Sequence, residues 1–535
     1  MSASSKKKLR NAQESEKLTE RQVSAQKEAK KLKIYTAAFI VITVILLVTA
    51  ITVGVMQIID KSGIRQKNSV AMTVGDSQIN ALEMSYFYVD AVQNFRNSNS
   101  DFLMYLLDTT TPLNQQIYSQ EDGTTWADYF LTIAQSNAEY VYTLYNAAMA
   151  EGYTMTDAEK LELENAINTI SFYASMNGFA DTDAYIKAVY GATANEEGFR
   201  AYQEKVSLAT SYRNAYADAL HYDEAALEQA QKDNYDLYSS FSFNSYYISA
   251  SRFLEGGTTD ENGTVSYSDE EKAASVADAE EAAKTLAGTA YDSADAFDAA
   301  IAALPANEGM TTAKSSANSN VLYTSVVSSL SEEMAQWLAD GRKEGDIAYF
   351  AYESAGTVNG YYVLYFVEKN DNNVFLPTVR HILVGSEAVL NGVETYTEET
   401  LAAYKDEAES LLQQWKDMGG TEQAFGELAS MTTKDTASAS VGGLYQNIVP
   451  GQMVDAFNDW CFDKHQVGDT GIVETEYGYH IIYFCGVSED TYRNQMITSE
   501  LTNAELERWY EELHAQYPVV LGDSTYLPMN MIIGG

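Results

Sequence analysis

Two apolar, strand-like runs each carry one histidine: Val379-Arg380-His381-Ile382-Leu383-Val384 and, later in the chain, Tyr477-Gly478-Tyr479-His480-Ile481-Ile482. Together they read as two edges of one site. Between them lie Asp435, Ser438-Ala439, Gly442-Gly443, and Gly451-Gln452-Met453 followed by Phe457. This set offers a carboxylate, two imidazoles and an apolar pair. Each member also has a plainer reading. A lone His in a strand is usually a packed residue, Met453 and Phe457 at helical spacing are core residues by default, and Asp435 is a natural turn cap.

The ordered set resembles a parvulin-type prolyl isomerase domain, over residues 376–488. The resemblance implies an α/β rotamase fold in which His381, Asp435 and His480 are the catalytic residues. Met453, Phe457, Leu444, Tyr445 and Gln452 would bind substrate. It also implies a reaction that needs no nucleophile, cofactor or metal. An X-Pro bond interconverts over a barrier near 20 kcal/mol, in roughly 10–100 s unaided. That barrier comes from amide resonance, so a catalyst must bind the twisted amide more tightly than either planar form. One departure stands out: relatives often read Gly-Gly-Asp-Leu-Gly where this chain has Gly442-Gly443-Leu444-Tyr445-Gln446.

The elements that position these residues follow a basic start. Residues 1–33 carry ten Lys/Arg against four Glu, and residues 34–59 carry no charge. A 26-residue uncharged run is long enough to span a bilayer. The basic tail should stay in the cytoplasm, with the body outside. This predicts a signal anchor over 34–59 and an extracytoplasmic body on a surface of Gram-positive type. A cleaved signal peptide is the competing reading, but its apolar core is normally shorter and a small-residue cleavage site should follow. The rest of the chain holds 24 basic and 72 acidic residues, which makes nucleic acid and anionic membrane surfaces poor partners. Only Cys461 and Cys485 occur, so neither a disulfide framework nor a CxxC metal site is available. Two buried thiols and a single bridge both remain open.

From Ser69 a short strand and turn lead into helical stretches, with apolar spacing Leu161, Leu163, Ile167, Ile170 and Phe199, Tyr202, Val206, Leu208. The region 69–240 resembles the helical part of export chaperone-isomerases. The resemblance implies that a C-terminal helix over 498–517, with Leu506, Trp509 and Leu513, completes it, within a terminal segment 489–535. Residues 241–370 parallel 376–488. Gly345-Asp346-Ile347 through Tyr361-Tyr362-Val363 matches Gly468-Asp469-Thr470 through Tyr479-His480-Ile481, and Met334/Leu338 match Met453/Phe457 in spacing. In that alignment Tyr362 replaces His480 and Tyr246 replaces His381, which predicts a degenerate, inactive first copy. Asp260-Glu261-Asn262-Gly263 fails the spacing of a calcium loop and predicts a hairpin turn. His221, His465 and His514 are expected at the solvated surface.

The expected architecture is therefore α+β: one transmembrane helix, a helical chaperone-like domain and two tandem parvulin-like domains. The expected function is isomerisation of X-Pro bonds in exported proteins, together with binding of unfolded clients. A non-enzymatic holdase is the alternative. Its support is 39 tyrosines and 16 methionines, which suit adaptable contacts and equally suit ordinary packing.

Overall fold

In the computed structural model the described residues are 4–11, 43–49 and 51, together with 63–533 apart from 260–262, 309, 311, 355, 387–388, 390–391 and 393–394. Most of the expected span 34–59 lies outside them. Residues 43–49 are helical, and among the described residues no helix is long and apolar enough to cross a membrane. The chain divides into two compact units, Met1–Leu220 with Ala504–Gly535, and His221–Asn503.

In the first unit β1 (Val70–Val74) and β2 (Ser77–Asn80) form a hairpin, with Gly75 at φ 56° supplying a left-handed turn position that favours glycine. Strand Val519–Leu521 pairs antiparallel with β1. Long helices follow: Ala81–Ser98, Trp126–Glu151, Asp157–Met176 and Glu196–Ala219. Their starts are dictated locally. Thr125 with Asp128, and Thr156 with Glu159, form capping boxes that satisfy the free N–H groups of the first turn. Leu163, Ile167, Phe199 and Tyr202 are buried as the spacing predicts, but Leu161 is 61% exposed. From helix Tyr492–His514, Leu506, Trp509 and Leu513 bury against Leu144, Ala148 and Tyr212. Trp509 also stacks on Tyr216 at 4.0 Å between ring centroids. Burying a large apolar side chain contributes about 1.5–3 kcal/mol, so this cluster ties the returning helix firmly.

The second unit contains two four-stranded antiparallel sheets with one plan. The first is built from β3 (Ser240–Ser249), β6 (Ser316–Leu322), β7 (Ile347–Ser354) and β8 (Thr357–Asn370), in the order β6-β3-β8-β7. Between β3 and β6, the two-residue strands β4 (Thr258–Thr259) and β5 (Val265–Ser266) pair as a hairpin; its turn residues 260–262 lie outside those described. The second sheet is built from β9 (Phe375–Val384), β10 (Leu444–Tyr445), β11 (Thr470–Thr475) and β12 (Gly478–Thr491), in the order β10-β9-β12-β11. Strand alternation splits the residues of this second sheet between its two faces. Ile382, Val384, Tyr479, Ile481 and Tyr483 pack on helices Glu398–Asp417 and Glu422–Thr432. Val379, Ile482 and Phe484 pack on Phe457 and Cys461 of helix Asp455–Phe462.

The register gives the residue equivalence between the sheets. Gly345 N–H donates to Phe366 O at 3.0 Å, as Gly468 N–H donates to Phe484 O at 2.9 Å, so Tyr362 does stand at the place of His480. His381, however, pairs with Ile482, and the equivalent partner of Leu364 is Ser245. Tyr246 is one residue off, on the opposite face, and hydrogen-bonds Asn307 at 3.0 Å. The helices correct a second pairing. Helix Glu332–Ala339 aligns Met334 with Phe457, Trp337 with Trp460 and Leu338 with Cys461, not Met334/Leu338 with Met453/Phe457. Arg342 lies over Trp337 and its Nε donates to Trp337 O at 3.0 Å. His465 likewise stacks on Trp460 at 4.0 Å, its Nε2 2.8 Å from Trp460 O. His465 is thus half-buried rather than a solvated surface residue. His514 is also half-buried and lies 2.5 Å from Glu139, whereas His221 is exposed.

Between the two sheets, Asn372 is fully buried at φ 54°. Its side chain bonds Ser240 Oγ at 3.0 Å and Tyr238 O at 2.8 Å, and its carbonyl accepts from Arg493 N–H at 2.9 Å. One buried amide thereby fastens β3, the β8–β9 connection and the start of helix Tyr492–His514.

Candidate active site

β9 and β12 place the two histidines. On the antiparallel pair His381 faces Ile482 and His480 faces Leu383, so the imidazoles sit diagonally on one face of the sheet, within reach of each other. Their Nδ1 atoms are 3.2 Å apart, and both residues are buried. On the outer side of each ring a second partner completes the set. His381 Nε2 is 2.9 Å from Asp435 Oδ2, and His480 Nε2 is 2.9 Å from Thr475 Oγ1.

Asp435 comes from the turn after helix Glu422–Thr432. Its Oδ1 accepts from Ala437 N–H at 3.2 Å, capping the short helix Thr436–Ala439, so the turn-cap reading holds as well. Its Oδ2 accepts from Tyr445 OH at 2.9 Å and also from Ser438 Oγ. The hydrogen bond from His381, helped by those from Ser438 and Tyr445, holds the carboxyl well below the usual range although burial opposes this. Asp435 is therefore an acceptor only, which places a proton on His381 Nε2. His381 Nε2 donates to it, and the two Nδ1 atoms face each other at hydrogen-bond distance. His480 Nε2 lies beside the Thr475 hydroxyl, which also reaches Gly478 O at 3.3 Å. His480 is neutral in this arrangement: burial, and then the neighbouring His381, push its pKa down to about 3.

Beneath the imidazoles, Phe457 meets both rings edge-on, at 5.4 Å from His381 and 5.1 Å from His480. With Met453, Gln452, Tyr445 and Tyr477 it bounds a cavity of about 370 Å³, in the range of small-ligand sites. Asp435 is the one formally charged side chain among the described residues lining it.

Of the sequence-predicted residues, His381, Asp435, His480, Tyr445, Gln452, Met453 and Phe457 converge on this cavity. Leu444 does not. It pairs with Arg380 on β9 and so shares the opposite face, while Tyr445 pairs with Val379 on the cavity face. Met453 is not helical either, since it precedes helix Asp455–Phe462 and reaches the cavity from the turn. Nothing in the sequence marks Thr475, and Ser438 and Leu383, though within the quoted motifs, carry no expected role there. Thr475 becomes a neighbour of His480 only when the β11–β12 hairpin folds back. The two cysteines are free, and burial pushes the Cys461 thiol up to about 12, which rejects the single bridge. Among the described residues no cluster of His, Cys, Asp or Glu is placed to hold a metal ion.

A sheet backed by two helices, with a diagonal histidine pair over an apolar cavity, defines a parvulin-type rotamase domain. Residues 361–487 match the family of the PPIC-type PPIASE domain, so the chain carries a domain of that family. The match begins within β8, ahead of the expected start at 376. Among curated proteins, a segment of 67 residues is 36% identical to foldase protein PrsA of Staphylococcus epidermidis, covering 12% of this chain and 21% of that protein. A segment of 106 residues is 32% identical to foldase protein PrsA 1 of Listeria innocua, covering 20% and 29%. The chain thus spans less than a third of the length of these relatives. The crystal structure of PrsA from Bacillus subtilis is 15% identical with a TM-score of 0.21, over 75% of this chain and 90% of that one.

Proposed function

We propose that this protein is a membrane-anchored, extracytoplasmic foldase whose second sheet domain isomerises X-Pro bonds in exported chains. The single observation that carries the reading is the hydrogen-bonded line Thr475–His480–His381–Asp435 above the Phe457–Met453 cavity. In this reading the proline ring enters against Phe457 and Met453, which exclude water and fix the ring. The residue before proline keeps its freedom to turn. The histidine pair and Asp435 form a rigid polar wall beside the rotating carbonyl, preorganised so that the twisted amide is bound best. No covalent step is involved.

The first sheet domain has Ser245 and Tyr362 where the second has His381 and His480, and we read it as inactive. Residues 69–240, completed by 498–517, are read as the client-binding helical domain. The uncharged run 34–59 is read as the anchor, with the basic tail inside the cell and the acidic body outside. Protease added to intact, wall-stripped cells should remove the body and spare the tail; a soluble mature form beginning near residue 60 would defeat the anchor.

A holdase role has its own support. Phe102, Met104 and Tyr105 are 66%, 74% and 80% exposed, and Phe172 and Met176 are 60% and 71% exposed. Large apolar side chains in solvent suit adaptable contact with unfolded chains. The two roles separate in refolding of a substrate whose slow phase is a proline isomerisation. Acceleration at substoichiometric amounts marks the isomerase, and protection from aggregation with an unchanged slow phase marks the holdase.

A further inference from the structure

The loop that brings Gln452 and Met453 to the cavity has Gly451 at its apex, at φ 79°. A Cβ at this position would lie 3.0 Å from Ser319 O and 3.2 Å from Asn320 Cβ. Both residues belong to β6, the edge strand of the other sheet. At that point β6 is irregular: Phe241 pairs with Val321 but Phe243 pairs with Asn318, so one extra residue bulges from β6. Asn320 takes the bulge at φ 49°, a conformation that Asn tolerates better than most residues. Its N–H donates to Ser242 Oγ at 3.2 Å, and Asn370 Nδ2 donates to its Oδ1 at 3.4 Å.

The apex is also tied on its cavity side. Gly451 N–H donates to Asn458 Oδ1 at 2.9 Å, one residue beyond Phe457. Gln452 N–H donates to Val449 O at 3.1 Å, and Val449 N–H to Gln452 Oε1 at 3.0 Å. The loop is therefore tied inside its own domain, and its apex passes so close to the neighbouring copy that a side chain there would meet β6. Its contact with β6 lies at the irregular point of that strand.

We propose that the Ser319–Asn320 bulge of the inactive copy is a positioning element for the active copy's cavity. By limiting where Gly451 can sit, it sets how far Gln452 and Met453 close over the substrate. The idea rests on the isomerase reading of that cavity, and it gives the copy without histidines a structural part in the reaction.

Asn320→Gly in the full chain tests it, because glycine keeps the left-handed backbone and removes the side chain that flanks Gly451. Two readouts are taken: KM and kcat for a proline-containing tetrapeptide, and the resonance of the isotope-labelled Met453 methyl. The expected result is a KM raised about threefold or more with kcat within about twofold. The Met453 methyl should shift or broaden, while the His381 and His480 ring signals stay in place. An unmoved methyl overturns the proposal whatever KM does, and so does a moved methyl with an unchanged KM in an active enzyme. If the wild-type protein has no isomerase activity, the isomerase reading fails separately and the methyl alone decides whether the bulge positions the loop. Should Asn320→Gly fail to fold, Asn370→Asp keeps the oxygen that accepts from Asn372 N–H at 2.9 Å, removes the donor of the 3.4 Å tether and carries the same readouts.

Discussion

The Tyr445 hydroxyl donates to Asp435 Oδ2 at 2.9 Å, from the segment Gly442–Gln446 that departs from the pattern the parvulin resemblance implies. The altered loop thus supplies one of the donors that hold Asp435 ionised, and the carboxylate in turn fixes the His381 tautomer. Burial and the carboxylate push the Tyr445 hydroxyl up to about 12, so it remains a donor at neutral pH. Tyr445→Phe should cost about 1 kcal/mol of stability, the worth of one hydrogen bond, while leaving most activity. Urea unfolding and an isomerisation assay on the same preparation check both halves.

Asp435 is a stronger test, provided the substitution keeps an oxygen for the three donors on Oδ2. Asp435→Ala leaves His381 Nε2–H, Ser438 and Tyr445 unpaired in a part-buried site, which costs about 1–3 kcal/mol per stranded group. Asp435→Asn keeps the shape and removes the charge. It should fold and lose at least about tenfold in kcat/KM, equivalent to about 1.4 kcal/mol. Wild-type rates in a folded Asp435→Asn protein would remove the carboxylate from the mechanism.

Acid stability should carry the mark of His480. Its folded pKa, about 3, lies below the ordinary value, so between pH 6.5 and 3 the unfolded chain binds a proton that the folded chain refuses. Stability is fully present above pH 6.5 and falls with acidification, by up to about 1.4 kcal/mol per unit from this residue. Asp435, with its depressed pKa, adds a loss that begins only below about pH 4. Urea midpoints at pH 7.5, 6 and 5 should decline in the wild type and decline less in His480→Gln.

The histidine pair was legible because strand alternation is local: an imidazole inside an apolar β run must point to one face, and two such runs suggest one site. What depended on exact register was not. The spacing puts Tyr246 at the place of His381, yet a shift of one residue in β3 moves a side chain to the other face, and the residue at that place is Ser245. Met453 and Phe457 have helical spacing but only Phe457 is helical, because the chain turns at Gly451 before the helix begins. Leu444 was misplaced by the same alternation that places Tyr445 correctly. Thr475 gave no signal, since a threonine in a strand is ordinary until the hairpin closes it onto His480.

The two apolar walls should separate by what they cost. Phe457 is 2% exposed, and Phe457→Ala should lose about 3–5 kcal/mol because it empties core as well as cavity. Met453 is half-buried in a turn, so Met453→Ala should raise KM with little change in urea midpoint. Equal destabilisation by the two would show that Met453 is core rather than wall.

Charge at the cavity should set preference for the residue before proline. With Asp435 its sole formal charge among the described residues and a strongly acidic chain around it, a Lys-Pro tetrapeptide should be turned over faster than Ala-Pro, and Glu-Pro slowest. The spread should shrink as salt is added. A Glu-Pro preference would contradict this electrostatic picture.

The most direct measurement is exchange NMR of an Ala-Pro tetrapeptide with the detergent-solubilised full chain and its Asp435→Asn and Phe457→Leu variants. The wild type should bring cis and trans into rapid exchange at substoichiometric protein, and both folded variants should slow it by about tenfold or more. Exchange at the unaided rate in the presence of folded wild-type protein would contradict the account and leave a chaperone that binds without catalysing.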